Sequence, residues 1–368
     1  MKNESLVLDY NLCETTIRIT SDNNGVGRVV RDYFYPYVSE ALPENVRPEV
    51  TVSIHLDDTL FQRLQDNYNT RINEWVISLC RTEKGTYRLI EYEYQEEGRL
   101  LKAQKTDFIV IEKGGEYEVF VKSDYLSNGK PNDDLYHLFE HVISKKAAAK
   151  GYILLHASSV AICGKAFLFI GKKRTGKTTT FFEACIRNGA VPLSVDKTYV
   201  KAVGSGLLMA CHPSPLRVLA GTLRKYEGGF IDIVPEQYRC ASSEELWKGN
   251  GDGKVRMGLH RLEEFIGRRA ATSASVACLV FPYIHYDRPD RLTPLTDPDH
   301  IAVALRENLF TPHNPEEDWW SRIGLEEIDR IAEMTDRTIL RMSAARSYRL
   351  ESADAISLLI SEAASEIC

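Results

Sequence analysis

The stretch Gly171-Lys172-Lys173-Arg174-Thr175-Gly176-Lys177-Thr178 has the spacing G-x-x-x-x-G-K-[ST]. Each part of that pattern has a chemical purpose. Glycines let backbone N–H groups turn inward and form a nest for an anion. Lys177 supplies a cation for the β and γ phosphates of a nucleoside triphosphate, and the Thr178 hydroxyl is a ligand for Mg²⁺. A helix that starts at the lysine adds the partial positive charge of its N-terminus. Thr179, in the first turn of that helix, belongs to the same cradle. The loop interior Lys172-Lys173-Arg174 is unusually basic and would add attraction for a highly charged ligand.

Two further residues have chemistry to offer at the right places. Asp196 lies 19 residues after Lys177, at the end of the next expected strand, where a carboxylate can hold Mg²⁺. His156 ends the strand that precedes the hairpin leading into the loop. A histidine there can act as a base or contact a phosphate. Weaker candidates are the cations of Pro215-Leu216-Arg217 and Gly253-Lys254-Val255-Arg256, which could meet a γ-phosphate or an acceptor. His212, His260, His285, His300 and His313 have no mutual metal spacing. Trp319-Trp320, beside Glu316-Glu317-Asp318, reads as core packing with an acidic edge, or as the lining of a groove.

The elements that must position these groups follow from the pattern around them. Tyr152–Leu155 reads as a strand. Ser158–Cys163 and Ala166–Ile170 read as a hairpin around Gly164-Lys165, with a helix from Lys177 to Asn188 after the loop. Val191–Leu193 is the strand leading to Asp196, and Tyr199–Val203 with Leu207–Ala210 makes another hairpin. Val276–Phe281 is a hydrophobic strand. Ile301–Asn308 and Leu325–Glu333 read as helices, Arg341–Leu350 as a strand and Ala353–Ala364 as a terminal helix. Upstream, Leu6–Thr20 reads as a strand pair and Val26–Leu42 as an amphipathic helix that Pro36 should break. Val50–Leu56, Trp75–Cys80, Tyr87–Tyr94, Phe108–Glu112 and Glu116–Val121 read as strands, with turns at Lys84-Gly85 and Gly114-Gly115. Ser127–Asn132 is the best linker, followed by a helix from Leu135 to Lys150. This divides the chain into an α+β N-terminal domain over 1–130 and a nucleotide-binding domain over 131–368.

The bulk numbers set the class. The chain has 368 residues, 43% hydrophobic and 27% charged, as expected of a globular protein large enough for two cores. A formal net charge of -6 argues against a general nucleic-acid binder. No apolar run reaches membrane-spanning length, and the first residues do not read as a secretory signal. The eight cysteines are scattered and read as reduced thiols of a cytoplasmic protein.

The string His156-Ala-Ser-Ser-Val-Ala-Ile-Cys-Gly-Lys-Ala-Phe-Leu-Phe-Ile-Gly171, the glycine loop, and Leu193-Ser194-Val195-Asp196 together resemble the HPr kinase/phosphorylase-related family. The likeness is sharp over about residues 151–200 and absent from 1–130. It implies an α/β phosphoenolpyruvate-carboxykinase-like P-loop kinase domain, a mixed sheet with flanking helices. It also implies Mg-ATP-dependent phosphorylation of a hydroxyl on a protein, peptide or small-molecule acceptor. By this resemblance Lys177 and Thr178 take the phosphate and Mg²⁺ positions, Asp196 the second acid of a pair, and His156 the strand histidine. Well-known members assemble into rings, so a homo-oligomer is compatible with it. Two positions depart from the pattern. Val195 stands where the family has its first acid, the usual base for the acceptor hydroxyl, and the loop interior is basic instead of rich in Gly and Ser. Other triphosphate chemistry (hydrolysis, nucleotidyl or pyrophosphoryl transfer) and a nucleotide-sensing module without turnover remain as alternatives.

Overall fold

In a computed structural model the chain is mixed α/β. The structure describes residues 6–43, 45–69, 76–81, 87–95, 98–103, 108–124, 133–213, 215–242, 246, 254–284, 290–310, 328–352 and 354–367. It divides into two compact units, residues 1–150 with 311–332, and residues 151–310 with 333–368.

The first unit is built on an eight-stranded sheet. Its strands are β1 (Leu6–Leu12), β2 (Thr15–Ser21), β3 (Val50–Leu56), β4 (Val76–Arg81), β5 (Tyr87–Gln95), β6 (Gly98–Ala103), β7 (Phe108–Lys113) and β8 (Glu116–Val121). They run in the order β1-β2-β3-β8-β7-β6-β5-β4. Strand β2 is parallel to β3 and β3 to β8; the other neighbours are antiparallel. Helix α1 (Asn24–Phe34) is capped by Asn23, whose side chain accepts from Gly25 N at 2.8 Å. It ends at Phe34, short of the expected Leu42, because Pro36 forces Tyr35 into extended backbone (φ -55°, ψ 133°). Helix α2 (Asp58–Asn69) seats Phe61 with Ile109 and Phe120.

Helix α3 (Asp133–Ala149) belongs to this unit, whereas the sequence reading grouped it with the nucleotide-binding part. The reason is aromatic packing. Phe139 lies against Tyr33 and Phe34 at 5.2 and 5.5 Å, and Phe34 stacks on Tyr10 at 4.2 Å. Buried aromatic clusters of this kind bind a helix to its unit more strongly than chain proximity does.

The second unit carries the glycine loop. Its main sheet has nine strands: β9 (Ile153–Leu155), β10 (Ala157–Ile162), β11 (Lys165–Ile170), β12 (Val191–Ser194), β13 (Thr198–Val203), β14 (Gly206–Cys211), β17 (Ser273–Pro282), β18 (Leu292–Leu295) and β19 (Ser347–Leu350). The path is β12-β10-β11-β17-β14-β13-β9, with β19 beside β17 and β18 beside β19. Strands β11, β17 and β19 are mutually parallel neighbours. Strand β10 is buried at every position, as expected of a strand covered on both faces. Helix α4 (Lys177–Ile186) lies against β10, β11 and β12.

Strands β15 (Leu216–Leu219) and β16 (Lys254–Met257) form a separate two-stranded ribbon. Residues Arg341–Ser343, expected at the start of a strand, finish the helix Ile328–Ser343, and only Ser347–Leu350 is extended. The linker at Ser127–Asn132, the Lys84-Gly85 turn, Trp75, and residues 325–327 of an expected helix lie outside the described residues. Among the described residues no helix is long and apolar enough to cross a membrane.

Cys163, at the exposed turn between β10 and β11, is disulfide-bonded. This corrects the expectation that all cysteines are reduced. A cysteine at an exposed turn is accessible to a second thiol, whereas Cys185, Cys211 and Cys278 are buried free thiols.

Candidate functional site

The loop leaves the C-terminal end of β11 and closes on itself. The Thr175 hydroxyl donates to the Lys172 carbonyl at 3.0 Å, and the Thr175 N–H donates to the same oxygen at 3.4 Å. A Cβ on Gly171 would lie 2.7 Å from the Thr175 hydroxyl, so this closure requires glycine there. Gly176 has φ +102°, and a Cβ on it would meet Ile284 at 2.7 Å. Arg174 also has positive φ, 68°, a strained value for a side-chain-bearing residue. Lys172, Lys173 and Arg174 are exposed at the loop tip, and Lys172 reaches Glu307 at 2.9 Å. That pair is open to water and contributes little stability.

Helix α4 begins at Lys177. It has no side-chain cap and no acidic residue in its first turn, so nothing local neutralises its positive pole. Thr178 and Thr179 are half-buried in that turn. Lys177 is 6% exposed, and its ammonium donates to the Gly171 and Lys172 carbonyls at 2.5 and 3.0 Å. Burial lowers its pKa to about 8, Asp196 offsets part of that, and Lys254 adds to it.

The second wall comes from β10 and β12. Their antiparallel pairing sets Ser159 opposite Ser194, which brings the residues before β10 next to the turn after β12. His156 Nε2 and Asp196 Oδ1 are 3.2 Å apart. Asp196 has φ 78°, and its N–H donates to the Ser158 hydroxyl at 3.4 Å. Burial would raise the Asp196 pKa, but the His156 hydrogen bond and the charges of His156, Lys197 and Lys177 outweigh it and hold the carboxylate ionised. The Asp196 side chain is 57% exposed, which leaves the carboxylate accessible to a ligand.

The sequence therefore named residues that do converge. His156, Asp196 and Lys177 belong to one electrostatic group, and Gly171–Thr179 forms a closed loop leading into a helix. Val195 is 6% exposed, part of the buried core beside Asp196. Position 195 is thus filled by an apolar residue that cannot accept a proton.

Sequence reasoning did not find the groups that hold His156. Its backbone N–H donates to the Asn308 carbonyl at 2.8 Å, and Phe310 packs edge-on to the His156 ring at 5.4 Å, with the Lys197 ammonium 4.9 Å from the Phe310 ring. Asn308 and Phe310 lie some 150 positions downstream of His156, and no local signal points to them.

Among the weaker candidates, Arg217 and Arg256 face each other across the ribbon, and Lys254 shares their exposed face. Like charges directly opposite oppose pairing, so this face is suited to an anion. His212 is buried, with its ring 5.4 Å from Tyr199, and His300 sits in the first turn of a helix capped by Asp297. His260 is exposed on the helix Leu259–Ile266. His285, His313, Glu316, Glu317, Asp318, Trp319 and Trp320 lie outside the described residues.

Glu183 fixes α4 from behind. This buried carboxylate accepts from the Tyr226 hydroxyl, from Lys225 at 3.0 Å and from Arg187 at 2.9 Å. Burial disfavours its charge, but these donors hold its pKa below the ordinary value. Replacing Glu183 with Ala is expected to cost about 1–3 kcal/mol in urea unfolding, since it leaves the buried Tyr226 hydroxyl without its acceptor, while Lys225 and Arg187 keep Asp354 at 3.6 and 3.7 Å. The sign with pH follows from a depressed folded pKa. The wild-type advantage is complete above the unfolded glutamate pKa and shrinks as the pH falls below it.

Among the described residues no group of three or more His, Cys, Asp or Glu could hold a metal ion. Mg²⁺ typically takes one or two protein oxygens and completes its shell with phosphates and water. The Thr178 hydroxyl and the ionised, accessible Asp196 carboxylate fit that role. In comparisons with known proteins, no family model matches this chain and no curated protein matches it in sequence.

Proposed function

We propose that this protein binds a Mg-nucleoside triphosphate in the Gly171–Thr179 cradle and transfers the γ-phosphoryl group to a hydroxyl acceptor. The observation that carries the reading is the joint placement of the buried Lys177 ammonium, the free N-terminus of α4 and the ionised Asp196 carboxylate hydrogen-bonded to His156. In this reading the backbone amides of the loop and Lys177 bind the β and γ phosphates, replacing the carbonyl contacts the lysine makes now. Thr178 and Asp196 would hold Mg²⁺, which supplies charge neutralisation for the bridged phosphates. The acceptor oxygen attacks the γ phosphorus, the bond to the β-bridging oxygen breaks, and ADP leaves. The His156–Asp196 pair takes the acceptor proton. Because phosphoryl transfer proceeds through a loose transition state, positioning and charge matter more than a strong base, so Val195 does not preclude the reaction.

The mixed sheet, the hairpin feeding the loop and the helix returning against it support a carboxykinase-like P-loop kinase domain related to the HPr kinase/phosphorylase group. ATP is the nucleotide proposed, and a protein, peptide or small molecule the acceptor. The test is incubation with γ-labelled Mg-ATP and candidate hydroxyl acceptors, with ADP and labelled acceptor as the expected products. AMP with pyrophosphate would contradict it. A second reading is favoured by the buried valine at position 195: a nucleotide-sensing module that binds ATP without turnover. It predicts tight binding and no product.

The lysine makes a pH signature. A bound polyanion raises the Lys177 pKa above about 8, so binding takes up a proton when the free lysine has lost it. Affinity is expected to be nearly constant below that pH and to fall roughly ten-fold by pH 9, measured by calorimetry at matched ionic strength. A flat profile between pH 7 and 9 would contradict the burial of this ammonium.

A further inference from the structure

Strands β11, β17 and β19 are parallel neighbours, so their C-terminal ends lie along one edge of the sheet. Ligands of open α/β sheets bind outside that edge. The glycine loop leaves β11 there, and the segment after β17 leaves beside it. That segment is tied to both neighbours. The Tyr283 N–H donates to the Leu350 carbonyl at 2.7 Å, and the Ile284 N–H donates to the Thr175 carbonyl at 3.0 Å. The Ile284 side chain seals the loop at Gly176. Tyr283 is thereby fixed beside Ile284, whose backbone is bonded to the loop, yet Tyr283 is 48% exposed. The Arg349 guanidinium lies 4.9 Å from the ring centroid, and Arg349 is itself 3.6 Å from Glu351. A cation against an aromatic ring orders it and draws electron density from it, which favours stacking of a further π-system.

We infer that Tyr283, held by Arg349 at the end of β17, is the platform on which the nucleobase of the bound triphosphate stacks. This rests on the proposed function, since it needs a nucleotide in the Gly171–Thr179 cradle. It adds a subsite that the loop motif does not contain. Stacking on an aromatic ring accepts any planar base, so the platform adds affinity with limited choice between purines.

The experiment separates the base from the phosphates. Mg-ATP and Mg-tripolyphosphate are titrated by calorimetry into the wild type and into Tyr283→Ala and Tyr283→Trp variants of the full chain. The expected result is a roughly ten-fold loss of ATP affinity in Tyr283→Ala, retention in Tyr283→Trp, and unchanged tripolyphosphate binding in all three. Equal loss of ATP and tripolyphosphate affinity would overturn the inference, because it would mean that the residue acts through the loop. Unchanged ATP affinity in Tyr283→Ala, with tripolyphosphate still bound, would overturn it while leaving the cradle intact. Failure of the wild type to bind either ligand would overturn the cradle and the platform together.

Discussion

Replacing Lys177 with Met is expected to abolish Mg-triphosphate binding and at the same time to stabilise the fold by about 1–3 kcal/mol. A lysine kept for structure would give the opposite result. The physical reason is that Lys177 is charged where the fold disfavours charge. Its pKa is lowered from 10.5 to about 8 by burial, with Lys254 nearby adding to the effect and Asp196 only partly offsetting it. A shift of that size corresponds to on the order of 3 kcal/mol against the charged form, from which the lost carbonyl hydrogen bonds must be deducted. The pH dependence has a definite sign. The folded pKa lies below the unfolded one, so the penalty is complete below about pH 8 and vanishes as the pH rises through 10.5. The stability gap between variant and wild type should therefore close over that interval, as read from urea midpoints. Ligand sites often carry such a cost, and removing it often stabilises the protein at the expense of function.

The second large effect is expected at Asp196. Changing it to Asn keeps the size and one hydrogen-bonding oxygen but removes the charge that orders His156 and would hold the metal. Phosphoryl transfer should fall by about 10²–10⁴-fold, with urea stability changed by less than about 1 kcal/mol because the side chain is more than half exposed. His156→Gln should lose a comparable amount. The double variant should be little worse than either single one, since the two groups act as a pair. Full additivity would separate their roles and count against a shared proton acceptor. The comparison needs an acceptor, and ADP release measures it.

Much of the second unit was legible because its signals are local. All nine residues of the Gly171–Thr179 loop and first helical turn are contiguous, and the hairpin over 157–170 shows its turn at Gly164. Strand β12 ends two residues before Asp196, as the short apolar run Val191–Leu193 suggested. What was missed follows from physics as well. Strands β15, β16 and β18 have four residues each, too short for alternation to stand out from chance. Helix α2 has a thin apolar stripe of Leu60, Phe61 and Leu64, which yields a weak periodic signal. Helix α3 was assigned to the wrong unit because a turn-rich stretch precedes it, whereas its partners Tyr33 and Phe34 lie about a hundred residues earlier. Within the site, His156 was found as a residue, but Asn308 and Phe310, which hold it, become neighbours only through strand pairing and the bridge between Leu155 and Leu309. The Lys254 charge near Lys177 likewise depends on a ribbon that pairs Lys254 with Leu219, 35 residues earlier.

We expect the segment around position 177 to capture a metal-bound polyphosphate. Isothermal titration calorimetry of the wild type at pH 7 with Mg-ATP tests it most directly. Saturable binding of one nucleotide per chain is expected, lost when Lys177 is replaced by Met in a protein that remains folded. Absence of binding in the wild type, or equal affinity in the variant, would contradict it.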